Sequence, residues 1–226
     1  MEHKPNILYI HGMGGGGDSR IPRLLRSSFE SMENGPMVFV RTYSFDPEIA
    51  RASIQSWVEE LKPSLIIGES LGFFQALLVT GVPHIYVSPA TGAASWLCFF
   101  RSFTWIPGIP AVMRRIWRVK EGDRQQLTFV PGVLKKYRNL KAKALKNTPL
   151  NGNRDYSFAF FGTEDHYRKS GTVNIKTWRK YFGDNFQLYE GTHFMEDRHV
   201  ESLLIPKILE VLSATRNNDY ICESES

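Results

Sequence analysis

The run Leu65-Ile66-Ile67-Gly68-Glu69-Ser70-Leu71-Gly72, followed at once by Phe73-Phe74-Gln75-Ala76-Leu77-Leu78, constrains this chain more than any other stretch. It reads as a buried strand, a G-x-S-x-G turn and an apolar helix. That order lifts a serine hydroxyl above a sheet and aims the following helix N-terminus at developing negative charge, which makes Ser70 a candidate nucleophile. Gly68 and Gly72 suit the elbow because a side chain at either position would collide with the neighbouring strand or helix.

The rest of the chain repeats the alternation. Six short β-like runs are expected at Ile7–Ile10, Met37–Thr42, Leu65–Ile67, His84–Val87, Ser157–Phe161 and Phe186–Tyr189. Helical patterns lie between them: Ile21–Met32, Pro47–Leu61, Val173–Phe182 and Glu196–Leu212 carry apolar residues at one-face spacing. Strands alternating with such helices imply βαβ units, hence an α/β fold with a doubly wound, mostly parallel six-stranded sheet. One domain over 1–226 is expected, since no Pro/Gly/Ser-rich linker divides the 226 residues. One stretch breaks the rhythm, from Pro89 to Asp155, where a single crossover helix would suffice. Residues 91–150 are therefore expected to form a helical cap or lid insertion. The acidic, polar tail 217–226 is expected to fray.

Composition narrows the function. The start, Met1-Glu2-His3-Lys4-Pro5, runs directly into a strand-like segment, so no leader is expected, and no apolar stretch reaches a membrane span. Cys98 and Cys222 stand far apart, without a C-x-x-C pattern, and read as free thiols in a reducing cytoplasm. The net charge of +5 hides an asymmetry. Between Arg101 and Leu150, twelve Lys or Arg face only Glu121 and Asp123, so that segment is +10 and the remainder −5. Such a run is most simply a solvated face; binding of an acidic small molecule is the functional reading preferred over nucleic acid.

A serine hydroxyl needs a base, and the base needs a carboxylate to orient it. His193 follows the last strand in Glu190-Gly191-Thr192-His193-Phe194, at the carboxyl end of the sheet, where ligands bind in open α/β folds. The strand before it ends Phe161-Gly162-Thr163-Glu164-Asp165, offering Asp165 first and Glu164 second. The first strand ends Ile10-His11-Gly12-Met13-Gly14-Gly15-Gly16-Gly17-Asp18, whose glycines allow close backbone approach. The amides of Met13 and Leu71 are the candidate oxyanion donors. A phosphate-binding loop would need Lys-Ser/Thr after the last glycine, where this chain has Asp18-Ser19. No dinucleotide fingerprint fits, and His193 and His199 do not share a metal-ligand spacing, so neither cofactor nor metal is expected.

Taken together, the chain resembles the α/β-hydrolase superfamily, and within it the small cytoplasmic bacterial esterases of the YqiA-like kind. The resemblance rests on Leu8-Tyr9-Ile10-His11-Gly12-Met13-Gly14, Gly68-Glu69-Ser70-Leu71-Gly72, Val87-Ser88-Pro89-Ala90, Gly162-Thr163-Glu164-Asp165 and Gly191-Thr192-His193-Phe194. It implies strand order 2-1-3-4-5-6, Ser70 as nucleophile, His193 as base, Asp165 as acid, the Met13 and Leu71 amides as oxyanion hole, and a structural His11. Glu69 departs from the superfamily's usual His, Ser or small residue before the nucleophile. The implied activity is hydrolysis of a small-molecule ester; the basic segment adds the expectation of an anionic substrate and no nucleic-acid partner. The alternative is a catalytically inactive binding protein on the same scaffold, for an acidic ligand or a protein partner.

Overall fold

The computed structural model describes residues 4–224, with side chains described through residue 215. Six strands, β1 (Asn6–Ile10), β2 (Met37–Val40), β3 (Leu65–Glu69), β4 (His84–Val87), β5 (Ser157–Gly162) and β6 (Phe186–Tyr189), form one sheet. Their order is β2-β1-β3-β4-β5-β6, and every pairing is parallel. This is the expected fold class and strand order. Side chains alternate across the sheet. Ile7, Tyr9, Leu65, Ile67, Ile85, Val87 and Phe160 enter one apolar layer, while Leu8, Ile10, Ile66, Tyr86, Ala159 and Phe161 enter the other. Because both faces are covered, the central strands β1, β3, β4 and β5 are buried and largely apolar, whereas the edge strand β6 exposes Gln187 and Leu188.

Helices α1 (Arg20–Glu30), α8 (Asp197–His199) and α9 (Ile205–Ser224) lie in chain order around the first layer. Ile21, Leu25 and Phe29 of α1 meet Leu204, Ile208 and Val211 there. The second layer receives α2 (Pro47–Leu61), the short α3 (Phe73–Ala76), α4 (Ala93–Phe100), α5 (Ile109–Ile116), α6 (Pro131–Ala144) and α7 (Ile175–Phe182). Trp178 of α7, fully buried, stacks on Phe182 at 4.1 Å and meets Phe73, Tyr86 and Phe161 edge-on or tilted.

Local chemistry sets the helix limits. Asp46 accepts from the Glu48 amide at 3.0 Å and caps α2, Pro47 opens it, and left-handed Lys62 closes it before Pro63. Helix α7 starts two residues later than its apolar pattern because Asn174 takes the cap, accepting from Thr177 at 3.0 Å. The last helix, expected as one piece, is interrupted by a π-helical turn at Val200–Leu204. Pro206, which has no N–H to donate, stands just beyond it, so the ladder widens there. Strand β2 stops two residues short of the expected Thr42, since Thr42 and Tyr43 turn away to serve the loop after β1, described below. The backbone of α9 continues to Ser224; the expected fraying of 217–226 concerns side chains, and a final two residues, that lie outside the described residues.

The segment 91–150 divides in two. Leu134, Tyr137, Leu140 and Ala144 of α6 are buried against the second layer, Tyr137 donating to the Phe45 carbonyl at 2.8 Å and Lys136 pairing with Asp46 at 2.7 Å. Helix α6 thus occupies the place of the crossover helix. Helices α4 and α5 and the irregular return segment through residue 129 form the excursion proper.

His84 and His11 are wholly buried in this frame. His84 of β4 donates from Nε2 to the Ala76 carbonyl at 3.1 Å, and His11, at the end of β1, donates from Nδ1 to Gly12 at 2.8 Å. Burial lowers the pKa of each to about 4. The unfolded chain holds these protons up to about pH 6.5, so it binds more protons than the native state in acid. Stability is therefore expected to be full above about pH 6.5 and to fall as pH drops towards about 4, by up to roughly 3 kcal/mol for each histidine. Urea midpoints followed across that window check this; a flat profile would contradict it.

Candidate active site

The turn after β3 is built by steric exclusion. A Cβ on Gly68 would lie 2.9 Å from the Ala76 Cβ and 3.0 Å from Tyr86 of the next strand. One on Gly72 would lie 2.4 Å from the Ile10 carbonyl oxygen. Between them Ser70 adopts φ +48°, a left-handed conformation that side-chain-bearing residues avoid. Its carbonyl accepts from the Ala90 amide at 3.1 Å, which ties the elbow to the end of β4.

The loops after β5 and β6 are joined before they present their side chains. Thr163 donates to the Tyr189 carbonyl and Glu164 to the Gly191 carbonyl, both at 2.9 Å. Gly162 makes room for this, since a Cβ there would lie 2.3 Å from the Thr192 oxygen. Asp165 then caps a short 3-10 turn, its Oδ1 accepting from the Tyr167 amide at 2.8 Å. Its Oδ2 accepts from Nδ1 of His193 at 2.7 Å. On the other side of the ring, Nε2 of His193 lies 2.9 Å from the Ser70 Oγ. With Nδ1 donating to the carboxylate, Nε2 is the acceptor, and the serine hydroxyl points its proton at it. Asp165 and His193 are both buried, and the Tyr167 ring stands edge-on to the imidazole at 4.7 Å. Glu164, the second candidate, is exposed and joins the turn through its amide.

Of the two candidate oxyanion donors, the Leu71 amide lies in the first turn of a 3-10 helix, Ser70–Gly72, where N–H groups have no intrahelical acceptor. Met13's amide likewise has no partner among the described residues. The loop carrying it passes against the nucleophile: a Cβ on Gly12 would sit 3.0 Å from the Ser70 Cβ. Behind Leu71 the packing is nearly solid, leaving a cavity of about 10 Å³ beside Tyr43, Gln75 and Gln125. A more open cavity of about 790 Å³ lies on the other side of Asp165, walled by Thr163, Arg168, Lys169, Asn174 and Lys176 among others. Neither Ser70 nor His193 lines it.

Several contacts that shape this geometry carry no sequence signal. Glu69 accepts from the Tyr9 hydroxyl at 2.9 Å. Burial, reinforced by that carboxylate, pushes the Tyr9 phenol well above its ordinary pKa, so it remains a donor. Tyr43 stacks on His11 at 4.1 Å and donates to the His11 carbonyl. Gln125 clamps the glycine-rich loop: its amide donates to Gly15 at 2.7 Å, its Oε1 accepts from Gly14 at 3.2 Å, and its Nε2 reaches the Tyr43 carbonyl at 3.2 Å. Asp123 lies so close that a Cβ on Gly16 would be 1.8 Å from its carbonyl oxygen. Thr42 joins the two, accepting from Gly17 and donating to the Asp123 carboxylate. Every one of these pairs is distant in sequence.

A parallel sheet in this order, with a serine elbow after β3 and the Asp165 and His193 loops after β5 and β6, is the α/β-hydrolase fold, and the chain has that fold. Solved structures agree. The chain superposes on a monoacylglycerol lipase of Paleococcus ferrophilus with a TM-score of 0.59 at 16% identity, covering 92% of this chain and 94% of that one. Est1E of Butyrivibrio proteoclasticus, solved with ferulic acid bound, gives 0.57 at 16% identity, over 92% and 90%. A structure from work on carboxylesterases of Nitrososphaera gargenis gives 0.54 at 12%, over 96% and 92%. No family model and no curated protein sequence matches the chain. At these identities the likeness establishes the fold, and the reaction has to be argued from the site.

Proposed function

We propose that this protein is a serine hydrolase that cleaves a carboxylic ester, or a related acyl bond, of a small molecule through an acyl-enzyme. The observation that carries the reading is the continuous hydrogen-bonded line from Ser70 through His193 to Asp165. In the first step Ser70 Oγ attacks the acyl carbon while His193 Nε2 takes the hydroxyl proton. The carbonyl oxygen becomes an oxyanion, received by the Met13 and Leu71 amides. Asp165 holds the ring in the productive tautomer and stabilises the imidazolium without accepting its proton. His193 returns the proton to the leaving alkoxide, the C–O bond breaks, and the acyl group remains on Ser70. Water deprotonated by the same ring then attacks the acyl carbon, the bond to Ser70 Oγ breaks as the ring returns its proton to that oxygen, and the acid is released. Every step uses groups of this chain, so the reading calls for no cofactor or metal.

The structural neighbours, a lipase and esterases among them, favour ester chemistry over other acyl transfers. The excursion is read as a cap: Val119 lies against Gly14 and residues 123–125 rest on the loop that holds Met13. A small ester is the inferred substrate, worked on in the cytoplasm. Among the described residues no helix is long and apolar enough to cross a membrane.

The test is labelling with a fluorophosphonate probe, wild type against Ser70→Ala: label on the wild type alone supports the reading, and an unlabelled wild type removes it. A corollary concerns charge. The basic excursion should make anionic esters better substrates than neutral ones at low ionic strength, with the advantage fading as salt is raised. Identical salt dependence for the two ester types would remove the corollary.

A further inference from the structure

We infer that the excursion, from Ser95 to Arg118, is a docking face for lipid bilayers that carry anionic headgroups. Its core side is well anchored, with Leu97 and Met113 buried. Among the described residues nothing covers its outer side. Trp105 is 76% exposed and Ile116 67%, and Phe99, Phe103, Ile106 and Val112 are exposed with them. Phe99 and Phe103 touch edge-on at 5.3 Å, and Val112 and Ile116 are one helical turn apart on α5. The turn between α4 and α5, Trp105-Ile106-Pro107-Gly108, carries the most exposed ring of the set. Isolated exposed apolar residues are ordinary; a cluster of large ones within a single excursion marks an interaction surface.

Charge decides the occupant. From Thr91 to Lys120 there is no acidic residue, while Arg101, Arg114, Arg115, Arg118 and Lys120 are present. None of these five forms an ion pair among the described residues. A second copy of this chain is disfavoured, because a two-fold contact would set five cations against five. Single-stranded nucleic acid would use the rings and the arginines, but it has no use for Ile106, Val112 and Ile116. A bilayer uses all of them: Trp, Phe and Ile enter the headgroup boundary while Arg and Lys meet anionic lipid. Val119, the residue after Arg118, lies against Gly14 of the glycine-rich loop, so docking would bring that loop towards the lipid surface. The inference does not depend on the proposed hydrolysis.

Co-sedimentation with vesicles tests it. Wild-type protein should pellet with phosphatidylcholine vesicles holding roughly a quarter phosphatidylglycerol at about 0.1 M salt, and much less with pure phosphatidylcholine. Arg114→Gln with Arg115→Gln should weaken partitioning by roughly fivefold per arginine. Trp105→Ser with Ile106→Ser should weaken it by roughly tenfold or more, and these exposed positions allow circular dichroism to verify unchanged folding. Ser70→Ala should pellet like wild type, which separates the inference from the proposed chemistry. It is overturned if wild type stays in the supernatant with the anionic vesicles, if either double variant binds as wild type does, or if light scattering shows a vesicle-free dimer that Trp105→Ser dissolves.

Discussion

Ser70→Ala should lower the turnover of p-nitrophenyl acetate and butyrate by a factor on the order of 10⁴ to 10⁶, leaving only what an oxyanion hole and binding can supply. The reason lies in the elbow. The hydroxyl is the atom of Ser70 aligned with His193, and among the described residues no other serine hydrogen-bonds to that ring. The fold should survive the change, since alanine keeps the Cβ of the half-buried Ser70 and a single hydroxyl contributes little packing. The backbone offers a second reading of the same position: at φ +48° alanine retains the strain of a Cβ, whereas glycine does not. Ser70→Gly should therefore be equally inactive but more stable than Ser70→Ala, by about 1 kcal/mol. Wild-type turnover in either variant would take the nucleophile's role away from Ser70.

His193→Ala and Asp165→Asn should lower kcat far more than they change KM, by roughly 10⁴-fold or more, because both act on the transition state. The asparagine keeps the shape of the carboxylate but offers its amide where Nδ1 now donates, turning the ring to the wrong tautomer. Neither change should add to Ser70→Ala, since the three groups act as one unit. Glu164→Gln should be nearly silent: its side chain is exposed and its structural bond comes from the backbone. Steady-state kinetics on the four variants decide this. A damaging Glu164→Gln beside a harmless Asp165→Asn would reassign the acid.

Much of the fold was legible because parallel strands advertise themselves as apolar runs and their crossovers as one-faced helices. All six strands fall within a residue or two of their expected positions, and β2 is shortened by side chains that could not have been anticipated, Thr42 and Tyr43. The π-turn before Pro206 is a tertiary compromise between a continuous apolar face and a missing donor, which periodicity alone does not register. The three residues of the hydrogen-bonded line could be named because each lies on a turn with its own local pattern. What escaped was whatever depends on contact at a distance. Tyr9 and Glu69 are 60 residues apart, and neither looks unusual in its own strand. Glu69 had been an unexplained carboxylate beside the elbow; its oxygen is committed to a buried phenol. Gln125 lies in a polar stretch with no motif, and only the folded chain shows its three bonds to the β1 loop and to Tyr43.

That clamp changes how the run of glycines after β1 should be regarded. Gly14, Gly15, Gly16 and Gly17 look like slack in the backbone, yet each meets the returning excursion or the Thr42 turn within a few ångströms. The loop takes its shape from what leans on it, as soft clay does from a mould, and Met13 is held in the middle. Cutting away residues 95–125 would thus take the mould away from the loop that carries Met13. In evolutionary terms, the excursion and the glycine run would have to change together: drift in one would be tolerated only with a matching change in the other.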